Sequence, residues 1–304
     1  MDLYIHGLGT CAVGSDSDFA DATAKLENVP IKEYATASLR RRYGNVAKMM
    51  YIAACRALTD ADIEDTGQVA IIAATAAGEV TTGLKLLEQI HNTRGVRISP
   101  ALVPNAVHNA PAGHMSIGFK SRAPSITVSQ GSLTAEAALM TASDLLEFDN
   151  VDVALVVVGD EADPVWEQRL KESGASRLSQ KLADKSFQEG AAAMIIGKVP
   201  GAKHLGRITA SVERANEPKI RINEIIREYL SLKDILIVAR TGAGGEEISD
   251  LHSEVQLDGP GLGTSQIGAW SRLISEIKGS SQDKLLLIAK EIEDIGFLFW
   301  QRQS

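Results

Sequence analysis

The stretch 124-PSITVSQGSLTAEAALMTASDLLE-147 determines how the rest of this sequence is interpreted. It predicts a strand over residues 124–129, a tight turn, and a long helix over residues 133–147. Ser132 lies where the turn enters the helix. A side chain held at the positive end of a helix is often a nucleophile, but a serine there also serves as a small helix cap. Ser132 is therefore the first candidate functional residue, with both interpretations open.

The composition is that of a soluble globular protein. The chain has 304 residues, 44% of them apolar and 23% charged, which suffices for one large core or two fused units. The formal net charge of −8 argues against a nucleic-acid partner. No apolar run is long enough to span a membrane, and MDLYIHGLGT is not a signal peptide, so we expect a cytoplasmic protein. The two cysteines, Cys11 and Cys55, are expected to be small buried residues.

Strands and helices alternate on both sides of the opening stretch. Helices are predicted over residues 46–58, 79–92, 107–118, 219–231 and 265–279. Strands are predicted over residues 68–76, 151–161, 187–199, 205–215 and 234–241, and a hairpin over 284–301. The continuous apolar runs are typical of strands buried on both faces of an α/β sheet. Because no linker separates the halves, the sequence predicts a layered α/β architecture whose element order is compatible with a duplication.

Two sequence features could indicate a metal site or a nucleotide-binding loop, but neither has the expected pattern. The end of the strand predicted over 151–161 and the residues just after it carry the acidic residues Asp160, Glu161 and Asp163. Acidic residues after a strand more often cap the next helix or face solvent, so no metal site is predicted. The Gly-rich stretches 7–10 and 242–245 lack G-x-G-x-x-G spacing within a βαβ unit. We therefore expect no cofactor.

Three segments in this order resemble the β-ketoacyl synthases of the thiolase fold: 127-TVSQGSLTA-135, 151-VDVALVVVGDE-161 and 187-FQEGAAAMIIG-197. In those enzymes a segment like TVSTACASG presents a cysteine at the start of a buried helix, and Ser132 takes that cysteine's place here. A further segment, 107-VHNAPAGHMSIG-118, is similar to the VHNA-x-AG signature of chain-length factors from aryl-polyene-type clusters. Together the segments are more specific than any one of them.

The resemblance implies a thiolase-like α/β fold with α-β-α-β-α layers and two related halves. Residues 1–200 would form a ketosynthase-like N-terminal half containing the nucleophile position. Residues 201–304 would form a reduced C-terminal half of the same compact unit. Family members associate through the strand before the nucleophile turn, here residues 125–129, which extends the sheet across two subunits.

The resemblance also tests the catalytic positions. Ketosynthases condense acyl and malonyl units with a cysteine thiolate and two histidines. Alignment of the short motifs places Ala239 and Ala269 at the two histidine positions, and the remaining downstream histidines, His204 and His252, lie in polar segments. No condensing residue is therefore expected. Ser132, His108, Asn109 and Gln130 are instead expected to line a pocket or an interface.

Three functions remain open at this point. The first is a catalytically degenerate chain-length-factor subunit, which would pair with a catalytic ketosynthase as a heterodimer, shape the acyl tunnel, and meet an acyl carrier protein indirectly. The alternative is an acyltransferase or hydrolase that uses Ser132 as nucleophile, which needs a base within hydrogen-bond reach of that hydroxyl. The third is a stand-alone acyl-binding protein that forms a homodimer.

Overall fold

A computed structural model describes most of the chain. The described residues are 3–12, 29–148, 151–173, 189–201, 205–230, 235–239, 256–257, 270, 274, 277–279, 283–291 and 294–302. Within these ranges only the backbone is described for some residues, among them Ser132 and residues 235–239. His204, His252 and Ala269 lie outside the described residues.

The predicted helices are found in the predicted order, and two helices that were not predicted are added to them. The helices are α1 (Ala37–Arg40), α2 (Asn45–Asp60), α3 (Val80–Thr93), α4 (Ala110–Phe119), α5 (Thr134–Phe148), α6 (Pro164–Ser173) and α7 (Pro218–Leu230). Those that were not predicted are α1 and α6. Single 3-10 turns cover Ile31–Glu33, Val103–Asn105 and Gly131–Leu133. Trp270, Ile274 and residues 277–279 are also helical, in agreement with the helix predicted over residues 265–279.

The described strands form one sheet. They are β1 (Leu3–Ala12), β2 (Ala70–Ala74), β3 (Ser125–Val128), β4 (Val153–Asp160), β5 (Gly190–Gly197), β6 (Arg207–Arg214), β7 (Ile235–Ala239), β8 (Gln256–Leu257), β9 (Lys284–Glu291) and β10 (Asp294–Gln301). Their order in the sheet is β3-β2-β4-β5-β1-β6-β10-β9-β7-β8. The predicted hairpin at the end of the chain is confirmed, since β9 and β10 pair antiparallel.

The strand order contains the same arrangement twice. In the first half, β3, β2 and β4 are parallel and β5 is antiparallel to both β4 and β1. In the second half, β8, β7 and β9 are parallel and β10 is antiparallel to both β9 and β6. An antiparallel contact between β1 and β6 joins the two. The predicted pair of related halves is therefore confirmed by topology.

The second half is the smaller one. Its strands run from residue 207 to residue 301, whereas those of the first half run from residue 3 to residue 197. The difference lies in three connections, which span residues 13–69, 75–124 and 161–189 in the first half but only residues 215–234, 240–255 and 292–293 in the second. This agrees with a reduced C-terminal half. The exact boundary between residues 200 and 201 stays a prediction.

Burial on alternate faces of the strands produces the layers. Ile72 of β2 and Leu285 of β9 belong to a central cluster that also contains buried residues of α5 and Trp270. The neighbouring residue Ile71 faces the opposite side, where α2 and α4 cover the first half, and Leu286 faces α7 in the second. Because strand side chains alternate between faces, a central helical layer lies between two half-sheets with outer helices on both sides. The predicted α-β-α-β-α layering is confirmed.

Candidate functional site

The candidate site lies at the carboxyl edge of β3, β2 and β4. These three parallel strands end side by side, so the segments that follow them meet at one edge of the sheet. They are the turn at 129–133, the turn at 75–79 and the acidic segment 160–163. Thr75 N donates to Val128 O at 3.1 Å and fastens the first two together. Ligands of open α/β sheets bind in the crevice outside such strand ends.

The backbone of the turn before α5 is held by a threonine. Gln130 N donates to Thr134 Oγ1 at 2.7 Å, and the same hydroxyl donates to Gly131 O at 2.9 Å. Gly131 has a φ of 52°, a conformation that glycine adopts without strain. Gln130 and Gly131 are exposed, so the turn opens to solvent. The strand, turn and helix predicted around Ser132 are confirmed, and the capping role predicted for its hydroxyl stays a prediction.

The residue after Ser132 anchors the turn to the second half of the protein. Leu133 is buried and packs against Val212 of β6. A Cβ added to Gly296 of β10 would meet Leu133 Cδ2 at 2.7 Å and Glu136 Cγ at 3.2 Å. Gly296 therefore provides the space into which α5 and its preceding turn fit. Leu133 therefore holds the turn against the second half of the protein, whereas Gln130 and Gly131 remain exposed to solvent.

Asp160 organises the turn that follows β2. The residue is buried, and its Oδ1 accepts from Thr75 Oγ1 at 2.6 Å and from Ala77 N at 2.9 Å. Ala76 N donates to both carboxylate oxygens. Burial raises the pKa of Asp160, and these hydrogen bonds counteract the rise. Gly78 completes the turn with a φ of 70° and donates its N–H to Thr75 Oγ1.

The other acidic residues of this edge cap helices. Asp163 Oδ1 accepts from Val165 N and Trp166 N at the start of α6, which confirms the interpretation of this residue as a cap of the next helix. Glu161 instead accepts from Thr81 N in the first turn of α3. Among the described residues, no three His, Cys, Asp or Glu side chains are arranged to hold a metal ion.

Glu79 lies at the same edge of the sheet and was not identified from the sequence. Its Oε1 accepts from Ala47 N at 2.9 Å at the start of α2, although the two residues are far apart in the chain. Burial raises the pKa of Glu79, while hydrogen bonds from the N–H groups of residues 45–47 counteract the rise. A Cβ on Gly44 would lie 2.2 Å from the Glu79 carboxylate. Because Gly44 has no side chain, the Glu79 carboxylate can reach the start of α2.

Replacing Gly44 by alanine is expected to lower the free energy of unfolding by about 1–3 kcal/mol, because the added methyl displaces the Glu79 cap. The matched control is Gly83→Ala within α3, where nothing lies within 4 Å of the added Cβ. That change is expected to stabilise by roughly 0.5–1 kcal/mol. Urea unfolding of both variants measures the difference. Equal effects of the two substitutions would contradict the assigned role of Gly44.

Two of the predicted pocket residues, His108 and Asn109, lie before α4 and not within it. Helix α4 begins at Ala110, so the prediction that His108 belongs to a helix over 107–118 is wrong. Pro111 explains the boundary, because proline is compatible with the first turn of a helix but not with its interior. His108 and Asn109 are exposed, and the His108 ring lies 3.3 Å from the Cβ position of Gly78. His108 therefore lies at the same edge as the Asp160 turn.

The remaining candidate groups are placed elsewhere. His114 Nε2 lies 2.7 Å from Asn105 Oδ1, and the ring packs on Tyr43 with centroids 4.9 Å apart. Burial lowers the pKa of His114, which is consistent with a structural role. Ala239 is the last residue of β7 and pairs with Ile288 of β9. The turn around Ser132 also packs against β9, so Ala239 and this turn both contact the same strand, β9.

Neither cysteine resembles an activated thiol. Cys11 is buried, whereas Cys55 is only half-buried, contrary to the prediction for the latter. Burial raises the pKa of Cys11 to about 11 and that of Cys55 to about 12. The reactive form of cysteine is the thiolate, so both remain unreactive near neutral pH.

No helix among the described residues combines the length and apolar character needed to cross a bilayer.

Comparison with known structures gives matches over the whole chain. The ishigamide ketosynthase/chain length factor superposes with a TM-score of 0.74 at 12% identity, covering 100% of both chains. A type II PKS acyl-carrier protein in complex with its ketosynthase (AntDE:AntF) gives 0.72 at 15% identity and 99% of each chain. The ketosynthase ApeO in complex with its chain length factor ApeC, from Xenorhabdus doucetiae, gives 0.59 at 13% identity, covering 99% of this chain and 100% of the other. At these identities the matches show a shared fold.

A match of the sequence to a family model identifies the family of this chain. Residues 19–224 match the family described as "Beta-ketoacyl synthase, N-terminal domain", which is more than half of the chain. This range includes the strand, turn and helix around Ser132 as well as the EGAAA segment, whose glycine and alanines begin β5. The chain therefore belongs to the beta-ketoacyl synthase family and has its thiolase-like fold.

Proposed function

We propose that this protein is a non-condensing ketosynthase-like subunit, a chain-length factor that pairs with a catalytic ketosynthase and shapes its acyl tunnel. The pathway would be a type II polyketide, polyene or fatty-acid-like synthesis, and the VHNAPAG segment favours an aryl-polyene-type cluster. The observation that carries the proposal is the turn before α5. It joins β3 to α5 at the place where the family resemblance puts the nucleophile, and residue 132 is a serine.

The chemistry of residue 132 supports a non-catalytic role. A thiolate at a helix N-terminus forms near neutral pH, whereas a serine hydroxyl needs a nearby base to become a nucleophile. The resemblance of short motifs would place Ala239 and Ala269 at the two histidine positions. Alanine carries only a methyl group, which neither transfers a proton nor stabilises an enolate oxygen. His108 is exposed and packs against Gly78, a position suited to a pocket wall or an interface.

The outer edge of the sheet supports a partner subunit. Strand β3 is terminal in the sheet and, within the described residues, pairs only with β2. An exposed strand edge is a ready site for pairing with another chain. The partner expected at this edge is the catalytic ketosynthase, with the sheet continued from one subunit into the other. Solved structures of the same fold bear names that describe a ketosynthase together with a chain length factor.

Exposed apolar side chains occur near that edge, where α4 packs on β3 and both α3 and α4 contact the Val103–Asn105 turn. They lie on α3, the following segment and α4, and we call this set the α3–α4 surface; its large exposed side chains are Leu87, Ile90, Val96, Ile98, Val103, Val107 and Ile117. Grouped apolar residues of this kind mark interaction sites on soluble proteins. The α3–α4 surface therefore supports an interface larger than one strand pair.

Co-purification with the ketosynthase encoded alongside tests the proposal. The expected result is a stable one-to-one complex by native mass spectrometry, with the acyl carrier protein engaging the catalytic subunit. A homodimer that ignores the ketosynthase would support a stand-alone acyl-binding protein instead. Recovery of an active monomeric hydrolase would support the role of Ser132 as a nucleophile.

Leu87→Glu is expected to weaken the complex with the ketosynthase at least about tenfold, because a charge would be buried at an apolar contact. Leu87 is 63% exposed in the single chain, so its substitution leaves the fold intact. Lys85→Glu on the same helix is the matched control, since Lys85 is exposed and about 160° away around the helix. Titration by biolayer interferometry measures the affinity of each variant for the ketosynthase. Equal affinities of the two variants would exclude the α3–α4 surface from the interface.

A further inference from the structure

The segment between α3 and α4, residues 94–109, carries a large part of the α3–α4 surface. Its large exposed apolar side chains are Val96, Ile98, Val103 and Val107. The structure describes every residue of this segment, and none of them is buried. A segment without buried side chains gains little from apolar packing, so its conformation depends on hydrogen bonds.

Side chains of α3 hold the first part of the segment. Arg97 N donates to Thr93 Oγ1 at 3.2 Å, and Ser99 N donates to Gln89 Oε1 at 2.9 Å. Thr93 and Gln89 both belong to α3. Residues 97–99 are therefore attached to the end of the preceding helix, and the second part of the segment needs an attachment of its own.

A histidine of α4 provides that second attachment. His114 Nε2 lies 2.7 Å from Asn105 Oδ1, at the end of the 3-10 turn Val103–Asn105. Because an amide oxygen only accepts, the imidazole donates from Nε2 in this pair. Across the described residues 94–109, no other side-chain hydrogen bond reaches α4. Apart from the backbone hydrogen bonds at the helix start, this contact ties the turn to α4.

His114 is itself anchored to the interior of the first half. Its ring packs on Tyr43 with centroids 4.9 Å apart, and the Tyr43 hydroxyl donates to His114 O at 3.2 Å. Tyr43 is buried and packs on Tyr51 of α2, which stacks on Phe119 at the end of α4. Burial lowers the pKa of His114, so the ring is neutral near neutral pH. The bond to Asn105 therefore joins an exposed segment to a well-packed part of the fold.

We infer that His114 is a positioning residue for the partner interface. Through its bond to Asn105 it holds the Val103–Asn105 turn in the conformation that the ketosynthase contacts. Val103 and Val107, on either side of Asn105, are the apolar side chains fixed in this way. The inference rests on the proposed function. Binding costs less when an interface segment is ordered beforehand, because less conformational freedom is lost on association.

Comparison of His114→Met with His114→Gln tests the hydrogen bond separately from packing. Both substitutions remove the imidazole ring, but only glutamine keeps a donor at the place of Nε2. In the isolated chain, the amides of Asn105 and Ala106 should exchange with deuterium roughly fivefold faster in His114→Met. In His114→Gln they should exchange as in the natural protein. Equal exchange in the two variants would overturn the inference, because the donor would then have no effect on the turn.

Biolayer interferometry with the ketosynthase encoded alongside tests the consequence for binding. His114→Met should bind roughly three- to tenfold more weakly than the natural protein, and His114→Gln within about twofold of it. Asn105→Ala removes the acceptor without altering α4, so it should reproduce the loss seen in His114→Met. The double variant should lose no more affinity than either single variant, since both substitutions remove the same bond.

The possible failures of the inference and of the proposed function differ. Losses that add in the double variant, or an Asn105→Ala protein with natural affinity, would overturn the role of His114 while the natural chain still binds the ketosynthase. A natural chain that does not bind the ketosynthase would contradict the proposed function, and the interface role of His114 would be rejected with it.

Discussion

Asp160→Ala should lower the free energy of unfolding by about 4 kcal/mol, among the largest effects of any single substitution in this protein. The substitution leaves three donors of the turn without their acceptor: the Thr75 hydroxyl and the N–H groups of Ala76 and Ala77. Asp160 is only 3% exposed, so water does not readily replace the carboxylate. The turn that carries Gly78 would then lose its fixed conformation.

Urea unfolding followed by far-UV circular dichroism measures this loss. Asp160→Asn should cost less, about 1–2 kcal/mol, since the amide oxygen still accepts from part of the turn and a buried charge is removed. Asp152→Ala is the control, because Asp152 is 94% exposed and its substitution should change stability by less than about 0.5 kcal/mol. An Asp160→Ala protein as stable as that control would mean that the turn does not depend on Asp160.

Ser132→Cys should convert an unreactive protein into one that takes up a single alkylating label near neutral pH. The natural cysteines have pKa values raised to about 11 and about 12, so iodoacetamide should leave them unmodified. A thiol at position 132 would stand at the start of α5, where the helix dipole favours the thiolate. Gln130 and Gly131 beside it are exposed, which allows the reagent to approach.

Intact-protein mass spectrometry counts the labels. A natural protein that is labelled as strongly as Ser132→Cys would contradict the assignment of Cys11 and Cys55 as unreactive residues. A variant that stays unlabelled would show that the turn lacks the nucleophile position. Incubation of the natural protein with an acyl thioester separates the remaining alternative. A mass shift that Ser132→Ala abolishes would support an acyltransferase or hydrolase.

The regular elements of the fold were predictable because their sequence patterns are local. The apolar runs of β4 and β5 predicted strands buried on both faces, and each is buried almost throughout. The helix predicted over residues 219–231 is likewise found, as α7 over Pro218–Leu230. The helix predicted over residues 107–118 was placed too early, because the pattern of small residues outweighed Pro111 as a helix-start signal.

The candidate site was only partly predictable, since its contacts join residues far apart in the chain. The strand and turn around Ser132 were found from a local pattern and a family resemblance. The role of Glu79 was missed, because its partner Ala47 lies 32 positions away and no local signal connects them. Gly44 offered a signal only in retrospect, as a glycine directly before an apolar helical pattern. Asp160 was noticed as an acidic residue, but its hydrogen bonds to the turn after β2 depend on strand pairing.

The amphipathic pattern of α3 illustrates a further limit of sequence patterns. A helix with an apolar stripe is normally expected to bury it in its own core. In α3 only Val80 is buried, whereas Leu87 and Ile90 are exposed. The same periodicity fits a core face and a face that awaits another subunit. The three-dimensional structure shows that this stripe is exposed in the single chain.

The most direct test of the account is a condensation assay with malonyl-loaded acyl carrier protein and an acyl primer. The purified chain alone should release no carbon dioxide and form no elongated product. With its ketosynthase the product should form, and Ser132→Ala in this chain should leave the rate unchanged. Elongation by the isolated chain, or loss of product formation on replacing Ser132, would contradict the central claim that this subunit does not carry out the chemistry.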